Sequence, residues 1–187
     1  MVVSPEGSYL MIEDIEVEYG LVDNGNLLYG QNNNLGITLS NVGSDSASNI
    51  SVELSVDSPY VNVIESIVDY NNINPNQTVS LDGFVLYVNS NALNDEVVNL
   101  IFEISSDDDS DQLVVPFTIQ APNIGFNSLS GSLSSGETSD LPISLFNSGS
   151  AAINYPIVSL EGDMFITVNS SGINNAYYWD YLQGNNQ

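Results

Sequence analysis

The stretch Gly30-Gln31-Asn32-Asn33-Asn34-Leu35-Gly36-Ile37-Thr38-Leu39-Ser40-Asn41-Val42-Gly43-Ser44 carries apolar side chains at Leu35, Ile37 and Leu39, with small or polar residues between them. A period of two puts such residues on one face of an extended strand. The stretch returns as Gly136-Glu137-Thr138-Ser139-Asp140-Leu141-Pro142-Ile143-Ser144-Leu145-Phe146-Asn147-Ser148-Gly149-Ser150. The glycine, the alternating run and the closing Asn-x-Gly-Ser all recur in register. After a one-residue slip the correspondence continues, with Asn49 over Asn154, Val52 over Ile157, and Tyr60-Val61-Asn62-Val63 over Phe165-Ile166-Thr167-Val168. A match of this length points to two copies of one structural unit in tandem.

The same alternation runs outward along the chain, while helical periodicity is nearly absent. It predicts strands at Met11–Tyr19, Leu35–Asn41, Ile50–Val56, Val61–Glu65, Thr78–Val88, Val97–Ile104 and Leu113–Gln120. Val52/Leu54/Val56, Val98/Leu100/Phe102/Ile104 and Leu113/Val115/Phe117/Ile119 each line one face. Turn-rich stretches separate them: Asp23-Asn24-Gly25-Asn26, Asn71-Asn72-Ile73-Asn74-Pro75-Asn76 and Ser105-Ser106-Asp107-Asp108-Asp109-Ser110-Asp111. Short strands at this spacing predict an all-β protein of tandem immunoglobulin-like antiparallel β-sandwiches, the second one incomplete. The expected division is a linker over 1–10, a sandwich over 11–121, and a second, short sandwich with an aromatic C-terminal segment over 122–187. The second copy lacks most counterparts of Thr78–Gln120 unless Ala176–Leu182 supplies a strand.

Of 187 residues, 24 are Asp or Glu and none is Lys, Arg, His or Cys, for a formal net charge of −24. Ser-His-Asp and Cys-His catalysis, Schiff-base lysines, thiolate or imidazole metal sites and disulfides are all excluded. Nucleic-acid binding is set aside too, because it rests on Lys and Arg neutralising phosphates. Hydrophobic content of 42% is ample for a core and separates the chain from acidic disordered tails. No apolar run is long enough to span a membrane. The opening Met1-Val2-Val3-Ser4-Pro5-Glu6-Gly7 has neither the basic nor the apolar region of a secretory signal, so an excised piece of a longer protein is expected.

The order Gly-Gln/Glu, alternating apolar residues, Asn-x-Gly-Ser and a second strand resembles the immunoglobulin-like repeats appended to large secreted bacterial proteins. These include the segments that follow the catalytic domain of gingipain-type cysteine peptidases, and the related CARDB-like adhesion modules. The resemblance covers Met11–Val168 and implies an accessory module rather than a reaction. Relatives often carry an acidic, Gly- and Asn-rich loop before the Gly-Glu, compatible with calcium. Asp23-Asn24-Gly25-Asn26 stands in that place here, although Gln31 replaces the usual Glu.

Two loops therefore offer oxygen ligands for Ca2+: Asp107, Asp108, Asp109 and Asp111 in one, and Asp23, Asn24 and Asn26 in the other. Plain solvated loops account for the same residues. Glu13, Asp14, Glu16 and Glu18 mostly alternate on a strand and read as its solvated face rather than as a pair of catalytic carboxylates. Tyr177, Tyr178, Trp179 and Tyr181 concentrate the only Trp and three of the ten Tyr. They read as a strand of the second sandwich, as a docking segment, or as a sugar-stacking platform. Asn49-Ile50-Ser51, Asn76-Gln77-Thr78 and Asn169-Ser170-Ser171 match the N-glycosylation pattern, which an Asn- and Ser-rich chain also produces by chance.

The sequence thus predicts no enzyme. It predicts an extracellular or cell-surface module acting as spacer, adhesion unit or self-associating unit, with strand addition between chains as one route to filaments. Its expected partners are other domains of the same polypeptide or other protein chains. A carbohydrate-binding module and an auxiliary domain of a secreted peptidase are the alternatives.

Overall fold

A computed structural model describes residues 5–18, 26–107, 109–126, 134–138 and 145–153. The chain divides into two compact units, Met1–Gln120 and Ala121–Gln187. The described residues are all-β, and among them no helix is long and apolar enough to cross a membrane.

Among the described residues the first unit is a β-sandwich of nine strands: β1 (Leu10–Glu18), β2 (Leu27–Leu28), β3 (Asn32–Asn41), β4 (Ala47–Asp57), β5 (Val61–Glu65), β6 (Ile67–Ile73), β7 (Thr78–Val88), β8 (Val97–Ser105) and β9 (Ser110–Gln120). One sheet runs β1-β3-β7-β5 and the other β2-β9-β8-β4-β6. Every pairing is antiparallel except the short parallel contact of β2 with β9. β1-β3-β7-β5 stand as A-B-E-D and β9-β8-β4 as G-F-C of an immunoglobulin-like sandwich, with β2 added beside β9 and β6 beside β4.

The alternation seen in the sequence builds the core. Leu35, Ile37 and Leu39 of β3 and Leu81, Phe84, Leu86 and Val88 of β7 are buried from one sheet. Val52 and Leu54 of β4 and Val98, Leu100, Phe102 and Ile104 of β8 are buried from the other. Phe84 and Phe102 meet edge to face between the sheets, ring centroids 5.8 Å apart and planes at 86°. Each such side chain contributes about 1.5–3 kcal/mol by leaving water. In β9 only Phe117 and Ile119 are buried; Leu113 and Val115 are half-buried, so this strand reaches the core through its C-terminal half.

Three bulges interrupt strict alternation, one of them in β5, where Val63 pairs with Leu86 and Glu65 with Val85 so that Ile64 is the extra residue. Leu35 pairs with Phe84 but Gly36 with Asp82, which leaves Gly83 as the extra residue, at φ 126. Asp82 and Gly83 are therefore both exposed while Leu81 and Phe84 both point inward. In β1, Ile12 pairs with Leu39 and Asp14 with Thr38, so the bulged residue is Glu13 on a sheet edge.

Most strand boundaries follow the expectation; β2 has no counterpart in it, and three further points differ. Asn71–Ile73, expected as a turn, belongs to β6, which the sequence does not announce because both faces of this edge strand carry polar residues. Ser110 and Asp111, expected in the loop, already pair with Ser105 and Ile104. Residues Pro5–Tyr9, expected in a linker, are bonded to the end of β3: Val42 N–H donates to Tyr9 O at 2.9 Å and Ser44 N–H to Gly7 O at 2.8 Å.

In the second unit, β10 (Ile124–Phe126) pairs antiparallel with β11 (Leu145–Asn147). Gly136 has φ 78, and Gly30, its counterpart in the repeat, has φ 69. The proposed correspondences from Asn154 onward, with Leu141 and Ile143, lie outside the described residues.

Candidate functional site

The repeated Asn-x-Gly-Ser forms a buried polar knot. Asn41 is fully buried, because β3 ends there against the returning N-terminal segment. Its Oδ1 accepts from Gly43 N–H at 3.0 Å and from Tyr9 N–H at 3.3 Å. Its Nδ2 donates to Asp45 O at 2.8 Å and to Ile73 O at 2.9 Å. A Cβ on Gly43 would fall 2.2 Å from Gly7 O and 2.6 Å from Tyr9 N, so only glycine lets the two backbones cross. Such satisfied buried networks fix a unique geometry, since an unpaired buried amide costs about 1–3 kcal/mol.

The second unit repeats the knot. Asn147 Oδ1 accepts from Gly149 N–H and Asn123 N–H, both at 3.0 Å, and its Nδ2 donates to Ala151 O at 2.8 Å. A Cβ on Gly149 would lie 2.3 Å from Ala121 O and 2.4 Å from Asn123 N. Gly7-Ser8-Tyr9 and Ala121-Pro122-Asn123 therefore play the same part, a correspondence with almost no trace in their residue types.

A third buried asparagine stands out in the structure but not in the sequence. Asn33 accepts from Leu28 N–H at 2.7 Å and donates to Leu28 O at 3.0 Å and Gln31 O at 3.2 Å. It holds β2 where β2 can meet β9. Its only signal is a place in a run of three asparagines.

The loop between β8 and β9 is a tight hairpin turn. Asp107 accepts from the Asn49 side-chain amide through both carboxylate oxygens, at 3.0 and 2.9 Å, and its N–H donates to Ser48 O. Asp109 and Asp111 each use Oδ1 to cap the next residue's N–H, at 2.8 Å. Ser106 N–H donates to Asp109 O at 2.8 Å. Asp107 is thus turned toward β4 rather than toward Asp109 and Asp111, and Asp108 lies outside the described residues. Among the described residues, no three acidic side chains converge as a metal cluster. Asn26 is half-buried next to β2, while Asp23 and Asn24 lie outside the described residues. The aromatic residues Tyr177, Tyr178, Trp179 and Tyr181 also lie outside them.

Glu13, Asp14 and Glu16 are exposed on β1. Register places Glu16 opposite Gly36 and Gly36 opposite Asp82, and the Asp82 carboxylate lies over Gly36. A depression of about 350 Å³ follows, lined by Glu16, Asn34, Gly36, Asp82 and Gly83. This pairing of two carboxylates across three strands depends on the bulges and is invisible to local sequence reading. Of the tyrosines, Tyr29 has its phenol pushed above the ordinary value by burial.

No family model matches the chain, and no curated protein matches it. Among solved structures it is similar to a FixG-related protein from Vibrio parahaemolyticus, with TM-score 0.34 and 12% identity over 60% of this chain and 94% of that one. It is also similar to a family 123 glycoside hydrolase from Clostridium perfringens, with TM-score 0.34 and 12% identity over 52% of this chain. The match spans 22% of that hydrolase.

Proposed function

We propose that the chain is a non-catalytic, immunoglobulin-like accessory segment of a secreted or cell-surface bacterial protein, serving as spacer or adhesion unit. The observation that carries this reading is the recurrence of one buried knot at the head of each unit, Asn41 with Gly43 and Asn147 with Gly149. A repeated entry device suits modules strung in series, where each must fix the direction in which the chain enters it. The sequence resemblance to repeats that follow secreted peptidase domains agrees with the same reading. Excess negative charge without any base favours solubility among other surface proteins. Its partners are then neighbouring domains of its own polypeptide or other surface chains.

Deleting the chain from its parent polypeptide tests the proposal. Turnover of a soluble substrate by any neighbouring catalytic domain should persist, while retention at the cell surface or adhesion should fall. Loss of turnover in solution would overturn the non-catalytic reading.

A further inference from the structure

Between the N-terminal segment and the β8–β9 hairpin lies a cavity of about 10 Å³, lined by Ser8, Tyr9, Ser106, Asp109, Ser110 and Asp111 among others. We propose that it is a site for one hard divalent cation, with Ca2+ the fitting ion, which fastens the N-terminal segment to the hairpin. The two aspartates would not establish this alone, since each caps its own turn. The second observation is Ser8: the residue is 8% exposed, and its Oγ is buried with no hydrogen-bond partner among the described residues. A buried hydroxyl left this way has given up its hydrogen bonds to water without replacing them.

The donor set around the cavity is oxygen only: two carboxylates and the hydroxyls of Ser8 and Ser110, the Ser106 hydroxyl being engaged with the backbone of Asp109. Each Asp caps with Oδ1, which leaves its other oxygen for a ligand. Ca2+ takes six to eight oxygens in flexible geometry and accepts water for the remainder, whereas Mg2+ demands a near-ideal octahedron. A water molecule would satisfy Ser8 but would leave two neighbouring carboxylates unopposed, and this chain has no Lys, Arg or His to oppose them. The cation does both.

The repeat supplies a built-in contrast. Gly43 packs against Ser8, and Gly149 packs in the same way against Pro122. The second unit therefore has no hydroxyl where the first has Ser8, and the site belongs to the first unit only.

The test uses the whole chain at fixed ionic strength, with Tb3+ and then Ca2+ as probes. Tyr9 lines the cavity, so excitation of tyrosine should sensitise terbium emission, and calcium should displace it with a midpoint of roughly 0.1–1 mM, as in other weak extracellular sites. The double variant D109N/D111N keeps both turn caps and should weaken binding roughly tenfold or more, and S8A should weaken it measurably. D57N, at the opposite end of the same sheet, should not change it. Far-UV circular dichroism checks that each variant is folded. Absence of terbium or calcium binding would overturn the proposal in favour of a water-filled cavity. Binding that survives D109N/D111N or S8A unchanged would overturn it by placing the cation elsewhere.

Discussion

Asn41 and Asn147 hold the same backbone groups at corresponding places in two units: each accepts from the glycine N–H two residues on, at 3.0 Å, and from the N–H of the segment entering its unit. The asparagine in each copy is thus a latch on the incoming chain. N41A removes four hydrogen bonds from a fully buried position and should lower the stability of the first unit by about 2–4 kcal/mol, read from the denaturant midpoint. N147A should spare the unfolding step of the first unit.

G43A tests the same latch through space alone. The added Cβ would meet the backbone of Gly7–Tyr9, which cannot move as a side chain could. The N-terminal segment should detach, with faster amide exchange at Val42 and Ser44, whose N–H groups donate to it. Unchanged exchange there would refute the crossing.

Gly83 sits at φ 126 in the β7 bulge, where an L side chain is strained. G83A should cost about 1–3 kcal/mol by thermal or chemical denaturation. The nearest heavy atom to the new Cβ is Val68 Cγ2 at 3.4 Å, so the loss comes from the backbone rather than from crowding.

F84A removes one ring of the pair that joins the sheets and should cost about 3–5 kcal/mol. By contrast, D107A removes the contact between two exposed side chains while leaving Asn49 at its φ of 51, and should change stability by about 1 kcal/mol or less.

At a net charge of −24 the folded chain repels itself, and no basic side chain offsets this. Raising monovalent salt from about 10 to 150 mM shortens the screening length from roughly 30 to 8 Å and should raise the melting temperature. A fall or a flat response would show that self-repulsion is not a significant load on the fold.

The fold was legible where inside and outside alternate. Leu35, Ile37 and Leu39, or Val98, Leu100, Phe102 and Ile104, announce strands because one face meets the core and the other meets water. β6 was not legible, since an edge strand can carry Asp69, Asn71 and Asn72 without burying them. Neither was β2, whose two residues are placed by the side chain of Asn33. Among candidate ligands the sequence grouped Asp107 with Asp109 and Asp111 because they are neighbours in the chain. Ser8 was missed because its nearness to that loop is made by the sandwich, through the pairing of β1 beside β3 and the crossing at Gly43.

The parallel contact of β2 with β9 has a mechanical consequence. Leu27 and Leu28 lie beside Ile119 and Gln120, immediately before the second unit begins at Ala121. Tension applied through the two ends of the first unit loads β1, antiparallel to β3, before it reaches β2; once β1 has given way, it pulls β2 toward its own start and β9 toward its own finish. Because the strands run the same way, that tension slides them along each other instead of unzipping them, so their bonds must fail together. The first unit would then hold at this patch after β1 has peeled away, and would lengthen in two steps rather than fray.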